Sequence, residues 1–362
     1  MTGGTGFLGS HFLCWAREIG RPAVFALVRG ASVPERERRL REAIAVSAMS
    51  YERPRTACPP QLTTIGGHIE RPLCGVSRTD RATLRAAGVA EVWHFAACLR
   101  FDEQCRGRIL SANVDGARNA AVLAGALGAK RFIFISSAYS VGAIEGLSRE
   151  TLHFGARGFC NTYEASKFAA EHQVTRACAA HGVALTIFRP SIVLGPSCSK
   201  SSGGSQSGLY GFIPQLARLK ARLARQGSAV RITADPETEI NFIPVDRVMQ
   251  DLKYAAARGF APGPVFHLCA TKGPTARAAL QIISVQLGIE NLELISDVQA
   301  SSPLAALLTE RLRFFHAYAC LQRRFERSLP QKWVVTEEDL CLYVRNALPA
   351  RARATEAGRE PA

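Results

Sequence analysis

The sequence lacks closely spaced pairs of cysteines, although it contains 11 cysteines among 362 residues. The cysteines are odd in number, scattered, and never form the C-x-x-C spacing that zinc sites and dithiol redox sites favour. We therefore expect no metal site and no disulfide framework. Free thiols at this density are typical of a reducing compartment, so we predict a cytoplasmic protein.

Long apolar runs and a secretory leader are also missing. The chain opens on Met1–Thr2–Gly3–Gly4 without a basic segment and an apolar segment behind it, and no stretch of about 18 uncharged apolar residues follows. We therefore predict no integral membrane segment. Hydrophobic residues make up 47% and charged residues 21% of the chain, which is typical of a folded globular protein and excludes a disordered one.

Lysine is scarce, with seven among the 45 basic residues, yet the formal net charge is +15. A basic surface of this kind attracts nucleic acid, a phosphorylated small molecule or an acidic protein. The sequence lacks zinc-finger spacing, an RNA-recognition aromatic motif and a basic tail, so nucleic acid is excluded. The expected partners are therefore a small molecule with a CoA-type phosphate or an acidic carrier protein, and nothing in the sequence indicates the oligomeric state.

Short apolar runs alternate with amphipathic stretches over the first 190 residues. This alternation predicts βαβ units and a doubly wound parallel sheet, the Rossmann type of α/β fold. The predicted strands are Ala23–Val28, Leu62–Ile65, Glu91–Ala96, Arg131–Ser136, Ala184–Phe188 and Val265–Cys269, and the predicted helices are Phe7–Ile19, Pro34–Ala48, Arg81–Ala87, Ile109–Leu127 and Asn161–Ala180.

A segment rich in serine and glycine, Pro196–Gly211, interrupts this pattern and predicts a mobile loop beside the site. Residues 1–195 and 240–270 are predicted to form the NAD(P)-binding Rossmann domain. Residues 196–239 and 271–348 are predicted to form a smaller, interleaved C-terminal substrate lobe, and residues 349–362 a disordered tail. The lobe's predicted helices are Ile213–Arg225, Thr275–Leu287 and Leu304–Phe325.

The strongest local motif is the glycine-rich stretch Thr2–Gly9, which runs directly into an amphipathic pattern. Gly3 permits a tight turn, Gly6 lets the backbone approach a pyrophosphate, and Gly9 allows close packing of helix against strand. We predict that the loop, with Thr5, Phe7 and Leu8, binds a dinucleotide at the N-terminus of the helix. The strand that should precede such a loop is not in the sequence, so either the chain is truncated at its N-terminus or the sheet lacks its central strand. We favour a truncation, because a sheet without that strand would expose the edges of two neighbouring strands.

Arg29 follows the second strand at the position where NAD-selective sites carry Asp or Glu. A guanidinium at this position suits the 2′-phosphate of NADP, so we predict NADP rather than NAD as the cofactor. The alternative is a solvated arginine in an arginine-rich chain, and the arginines around Arg36–Arg41 are interpreted in the same way, as a solvated helix face.

The catalytic signal is Tyr163 followed by Lys167, with Ser137 at the end of a predicted strand. Tyrosine and lysine four residues apart lie on one face of a helix. We expect the ammonium to lower the pKa of the phenol and to contact a cofactor ribose. The Ser137 hydroxyl is expected to donate to a substrate carbonyl.

These motifs together resemble the extended short-chain dehydrogenase/reductase superfamily over residues 1–270, and most closely its thioester reductase and fatty acyl-CoA reductase (male-sterility) branch. The resemblance implies that Ser137, Tyr163 and Lys167 are catalytic. It also implies that Asn113 is a supporting polar residue counted with the cofactor site, and that Ala96, Pro190 and Ile192 line it. Gly67–His68–Ile69 departs from the G-D-[IL] that such proteins carry toward the adenine. The matching stretches are TGGTGFLGS, Trp93–Ala97, Asn113–Gly116 with Asn119, Phe134–Ala138, Tyr163–Lys167, Arg189–Val193 and Asn241–Asp246.

The leading hypothesis is an NADPH-dependent reductase that converts an acyl thioester of CoA or a carrier protein to an aldehyde or alcohol. The alternatives are a nucleotide-sugar epimerase or dehydratase, a hydroxysteroid-type dehydrogenase, and a non-catalytic, dinucleotide-sensing regulator. His94 is interpreted as a hydrogen-bonded core histidine, and Asp246 as a residue that organises a turn or helix start.

Overall fold

A computed structural model describes residues 1–52, 59, 61–101, 103–155, 158–226, 229–259, 265–296, 318–319 and 321–348. The strands are β1 (Ala23–Val28), β2 (Gln61–Gly66), β3 (Glu91–His94), β4 (Arg131–Ile135), β5 (Gly146–Ser148), β6 (Ala184–Pro190), β7 (Ile192–Leu194), β8 (Val230–Thr233), β9 (Phe242–Pro244), β10 (Val265–Leu268), β11 (Leu292–Ile295) and β12 (Arg323–Phe325). The helices are α1 (Phe7–Trp15), α2 (Val33–Met49), α3 (Arg78–Ala86), α4 (Arg106–Leu110), α5 (Gly116–Leu127), α6 (Thr162–Ala180), α7 (Leu209–Gln226), α8 (Val245–Ala257), α9 (Ala276–Leu287) and α10 (Glu337–Ala347).

The main sheet is parallel. β1 pairs with β2, and β3, β4, β6 and β10 pair in that order, with Val92 opposite Phe132 and Phe134 opposite Ile187. Apolar side chains of both faces are buried under the helices, as expected for a sheet covered on both sides. The predicted Rossmann fold is confirmed, and its predicted elements differ from the observed ones by a few residues at their ends.

Met1 and Thr2 lie where the central strand of such a sheet would run. The Thr2 backbone N–H donates to the Trp93 carbonyl at 2.9 Å, and the Leu27 N–H donates to the Met1 carbonyl at 2.8 Å. Thr2 thereby bridges β1 and β3 in parallel and joins the two halves of the sheet. Beyond Met1, a cavity of about 390 Å³ separates β1 from β3.

One predicted helix, Ile109–Leu127, is divided in the structure. α4 passes through a π-helical turn, Ser111–Asp115, into α5. Such turns widen the helix locally and occur frequently at functional sites. Here the turn contains Asn113.

The C-terminal elements share an apolar core of their own, formed largely by α7, α9 and α10 together with β8. The predicted helices Ile213–Arg225 and Thr275–Leu287 correspond to α7 and α9. The predicted helix Leu304–Phe325 lies mostly outside the described residues. The prediction is wrong for its last three residues, since Arg323–Phe325 is a strand that pairs in parallel with the distant β5. The predicted division into two domains stays a prediction.

The loop predicted over Pro196–Gly211 ends earlier, since α7 begins at Leu209. Its start is held by Asp246 in the first turn of α8, which accepts hydrogen bonds from the Ser197 backbone N–H at 2.7 Å and hydroxyl at 2.6 Å. The prediction that Asp246 organises a turn and helix start is confirmed. Loop mobility stays a prediction, and the predicted tail, 349–362, lies outside the described residues.

Candidate functional site

A cavity of about 550 Å³ opens at the carboxyl ends of the parallel strands, where ligands of doubly wound folds bind. It collects residues that are far apart in the chain. Every predicted site residue except Asn113 lines it: Gly3, Thr5, Gly6, Phe7, Leu8, Gly9, Arg29, Ala96, Ser137, Tyr163, Lys167, Pro190 and Ile192.

The glycine loop is packed too closely for side chains. Gly3 has φ +74°, and a Cβ there would lie 2.5 Å from the Ala96 backbone nitrogen. A Cβ on Gly9 would lie 2.1 Å from the Gly3 carbonyl oxygen. Gly6 is the N-cap of α1, and no described side chain caps this helix. The first N–H groups of α1 are therefore available to an anion.

Two arginines line the end of the cavity next to β1. Arg29 is exposed there, and its carbonyl accepts a 2.7 Å hydrogen bond from the Arg39 guanidinium, which also lines the cavity. The sequence interpretation of a solvated helix face around Arg36–Arg41 missed this role of Arg39. The amphipathic pattern cannot show that the Arg39 side chain of α2 reaches back to the end of β1.

The loop after β2 forms the other wall at this end. A Cβ on Gly67 would lie 2.5 Å from the Cys74 carbonyl oxygen, and the His68 N–H donates to that carbonyl at 2.7 Å. His68, Ile69 and Glu70 line the cavity, and Asn119 of α5 donates to the Ile69 carbonyl at 2.9 Å. His68, which departs from the expected aspartate, thus lies in the cavity wall together with Glu70 two residues later.

Tyr163 and Lys167 lie in the first turns of α6, a helix capped by the Asn161 side chain. Lys167 Nζ donates to the Ile135 carbonyl at 2.8 Å and lies 6.0 Å from the centre of the Tyr163 ring. Ser137 follows β4, and its hydroxyl accepts from the Tyr139 N–H at 3.2 Å. The three residues are buried in the protein and line the cavity.

The electrostatics of this trio differ from the sequence expectation. Burial raises the pKa of the Tyr163 phenol above its ordinary value, and the negative charge of Glu164 raises it further. Burial also lowers the pKa of Lys167 to about 8, although Glu171 opposes this shift. The expected lowering of the phenol's pKa by Lys167 is not found in this structure, where burial is the largest cause of the shift and raises the pKa. A phenol with a raised pKa retains its proton at neutral pH.

A buried ion pair that the sequence analysis missed lies behind the trio. Glu171 of α6 binds Arg189 of β6 through both carboxylate oxygens, at 2.9 and 2.7 Å. The same carboxylate accepts from Ser136 at 2.5 Å and from Ser140 at 2.8 Å. The network holds the end of β4 and the start of the next segment against α6. The one sequence feature that could have indicated this pair is Arg189, a charged residue inside the otherwise apolar run of β6.

Asn113 does not reach the cavity lining in the described part of the chain, so its place in the predicted cofactor set is not supported. Its side-chain oxygen accepts from the Cys98 N–H at 2.6 Å, and its amide donates to the Cys98 carbonyl at 3.1 Å and to Ser166 at 2.9 Å. These bonds use the whole amide. Asn113 therefore supports the cavity wall from behind, in keeping with a supporting polar residue.

His94 lies inside the core, where its Nδ1 is 2.9 Å from the Thr2 hydroxyl and burial lowers its pKa to about 3. The interpretation of His94 as a core histidine is confirmed. Among the described residues, no group of three or more His, Cys, Asp or Glu side chains could hold a metal ion, and all nine described cysteines are free. No described helix is both long and apolar enough to cross a membrane.

The fold and the site define a class, the NAD(P)-dependent oxidoreductases of the extended short-chain dehydrogenase/reductase type. The family model described as male sterility protein matches residues 1–252. The chain therefore belongs to this family, whose matched region is an NAD(P)-binding domain.

Known proteins with similar sequences or folds include domains from PKS-NRPS and non-ribosomal peptide synthetase systems. The chain is 25% identical over 273 residues to a linear gramicidin synthase of Brevibacillus parabrevis, covering 74% of this chain and 5% of that much longer protein. It is similar to the terminal R domain of the myxalamid PKS-NRPS pathway (TM-score 0.72, 21% identity, 95% and 89% of the two chains). It is also similar to a thiolation-reductase di-domain of an archaeal non-ribosomal peptide synthetase, with a TM-score of 0.66 and 18% identity over 95% of this chain and 88% of that one.

The fold extends to sugar-nucleotide enzymes. The dTDP-glucose 4,6-dehydratase DesIV of Streptomyces venezuelae, solved with NAD bound, has a TM-score of 0.57 at 18% identity and covers 95% of this chain and 94% of its own. At such identities, the structural likenesses show the fold alone.

Proposed function

We propose that this protein reduces an acyl thioester, carried by CoA or by a carrier protein, with NADPH as the hydride donor. The observation that carries the proposal is the placement of Ser137, Tyr163 and Lys167 around one cavity in a chain of the male sterility family. The carrier-associated reductases among the similar proteins favour a thioester over an alcohol or a sugar nucleotide.

The cavity lining offers groups suited to each part of the cofactor. The uncapped N-terminus of α1 and the glycine loop suit the pyrophosphate, and we assign Lys167 and Pro190 to the nicotinamide riboside. When bound, the reduced nicotinamide supplies a hydride to the substrate carbonyl carbon. The proposed overall reaction takes one thioester, one NADPH and one proton to one aldehyde, one thiol and NADP⁺.

Side chains of the protein stabilise the negative charge on the carbonyl oxygen and supply the proton that it takes up. Tyr163, whose raised pKa keeps it protonated, donates its proton to the carbonyl oxygen as that oxygen becomes negative. Ser137 donates a second hydrogen bond to the same oxygen. Lys167 holds the ribose hydroxyls and orients the nicotinamide. Collapse of the resulting hemithioacetal releases the thiol and an aldehyde, which a second reduction would convert to an alcohol.

NADPH is preferred over NADH in this proposal because Arg29 and Arg39 lie together beside the end of β1. A 2′-phosphate between two guanidinium groups receives charge-assisted hydrogen bonds that a 2′-hydroxyl cannot match. The net charge of +15 also favours an acidic carrier protein as the partner that delivers the acyl group.

Purified protein incubated with NADPH tests the proposal. The substrates, supplied in parallel, are octanoyl and benzoyl thioesters of CoA and of a carrier protein, and a set of nucleotide sugars. Loss of the NADPH absorbance follows the reaction, and mass spectrometry identifies the products. We expect NADPH consumption and an aldehyde or alcohol with the thioesters. Turnover of a nucleotide sugar without net NADPH consumption would overturn the proposal in favour of an epimerase.

A further inference from the structure

Arg108 is a cation in the cavity that the proposed chemistry does not use. It lies in α4, is exposed to solvent, and lines the cavity together with Ala112, four residues later on the same helix face. The structure gives Arg108 no ion-pair or side-chain hydrogen-bond partner among the described residues. Its neighbour Arg106, in contrast, is paired with Glu103 at 3.5 Å and does not line the cavity.

Arg108 lies far from the cavity end assigned to the adenosine. That end is marked by Ile69, whose carbonyl is held by Asn119 of α5. α4, the π-turn and α5 form one continuous helical run, and Arg108 lies 11 residues before Asn119, about 16 Å along the axis at the usual rise. The proposed function already assigns the 2′-phosphate of the cofactor to Arg29 and its pyrophosphate to the glycine loop.

The segment before α4 places Arg108 on the substrate side. The Phe101 ring packs edge-on against the Tyr163 ring at 5.4 Å between centres, and the Thr162 hydroxyl bonds the Glu103 carboxylate. The segment between β3 and α4 is thereby attached to the start of α6, beside the proposed proton donor. The same segment contributes Leu99, an exposed apolar side chain, to the cavity lining.

We infer that Arg108 binds the phosphate of a phosphopantetheine arm, with Leu99 beneath the apolar dimethyl group next to that phosphate and the thioester extending past Phe101 to Tyr163. The inference rests on the proposed function and names its substrate class. One free guanidinium, an apolar side chain and an aromatic ring match the order of groups along this arm. A nucleotide sugar would instead place polar hydroxyls against Leu99 and Phe101.

Two matched ligands test the inference, namely 4′-phosphopantetheine and pantetheine, which differ only in the phosphate. Their dissociation constants are measured by calorimetry with the NADPH-bound wild type, with Arg108→Ala and Arg108→Glu, and with Arg106→Ala as the control that removes the same charge from the same helix. We expect about tenfold tighter binding of the phosphorylated ligand in wild type and in Arg106→Ala. The preference should vanish in Arg108→Ala and reverse in Arg108→Glu.

Kinetics separates this inference from the proposed function. The KM for octanoyl-phosphopantetheine should rise about tenfold in Arg108→Ala, while the NADPH dissociation constant matches that of wild type. If no thioester is reduced but the binding preference depends on Arg108, the proposed function fails and the phosphate site stands. An unchanged preference in Arg108→Ala overturns the phosphate site. Octanoyl-CoA and octanoyl carrier protein, compared by kcat/KM, show which source delivers the arm.

Discussion

At the scale of single residues, burial shifts the pKa values of Tyr163 and Lys167 in opposite directions, so that both side chains keep their protons at neutral pH. Tyr163 keeps its proton because its surroundings disfavour a phenolate, and Lys167 remains charged below about pH 8 while it hydrogen-bonds the Ile135 carbonyl. The i, i+4 spacing identified both residues from the sequence. The direction of the phenol's pKa shift could not be predicted, since it depends on how completely neighbouring chain segments exclude water.

Tyr163→Phe removes one hydroxyl and should lower kcat by about 10² to 10⁴, with NADPH affinity retained. Lys167→Ala should lower both kcat and NADPH affinity, since the ammonium is assigned to the ribose. The double variant should lose little beyond Lys167→Ala, because groups that act as one unit are not additive. Single-turnover rates and fluorescence titration with NADPH measure these effects. Full activity in Tyr163→Phe would mean that another group donates the proton.

Arg29 and Arg39 should set the cofactor preference. Wild type is expected to bind NADPH at least about tenfold more tightly than NADH, and either alanine substitution should remove most of that ratio. Arg38→Ala is the matched control, because Arg38 lies on the same helix, pairs with Glu42 at 2.8 Å and does not line the cavity. Titration of both cofactors into the four proteins gives the ratios. Equal wild-type affinities for NADPH and NADH would rule out the 2′-phosphate assignment.

At the scale of elements, the glycine loop could be predicted from the sequence, but the contacts that hold the neighbouring elements of the site together could not. A glycine every third residue before a helix is a local pattern with a local steric cause. The Glu171–Arg189 pair joins α6 to β6, and the Asn113 amide joins the loop after β3 to α6, so both depend on tertiary packing that no short window of sequence contains.

Gly9→Ala should abolish NADPH binding and destabilise the protein, because its Cβ would lie 2.1 Å from the Gly3 carbonyl oxygen. The backbone of the loop must move to accept the methyl group. Gly107→Ala is the matched control, since a Cβ at this helical position meets no atom within 4 Å and should stabilise α4 by about 0.5 to 1 kcal/mol. Urea unfolding and NADPH titration distinguish the two variants. Normal NADPH affinity in Gly9→Ala would refute the close packing of this loop.

Breaking the buried pair from either side should cost about 3 to 5 kcal/mol of unfolding free energy, because the remaining charge is left without its partner. Glu171→Gln and Arg189→Met are the single variants, and the double variant should recover part of the loss. Arg277→Ala, which breaks an exposed pair with Glu237, should cost less than about 1 kcal/mol. Denaturant unfolding of the set checks this. Additive losses in the double variant would show that the two charges do not interact.

At the scale of the whole molecule, the parallel sheet explains why the predicted site residues meet. Strands that run the same way end at one edge, so Gly3, Arg29, Ala96, Ser137 and Pro190 converge although they are far apart in the chain. The C-terminal elements were less predictable. β12 is three residues long and exists only because it pairs with β5, about 175 positions earlier, and such short non-local pairings leave no periodic signal.

The buried Lys167 should make global stability depend on alkaline pH. Its pKa is about 8 in the folded protein, against an ordinary value of 10.5 in the unfolded chain. Between these values the unfolded chain binds the extra proton, so the contribution of Lys167 to the free energy of unfolding rises with pH, and below pH 8 it is constant. Lys167→Met removes the titration and nearly preserves the volume. The wild-type unfolding free energy minus that of Lys167→Met should therefore increase from pH 8 to 10.5. Saturating NADPH should flatten this increase, because the proposed ribose contact stabilises the charged ammonium. A difference independent of pH would mean that Lys167 is hydrated in the folded protein.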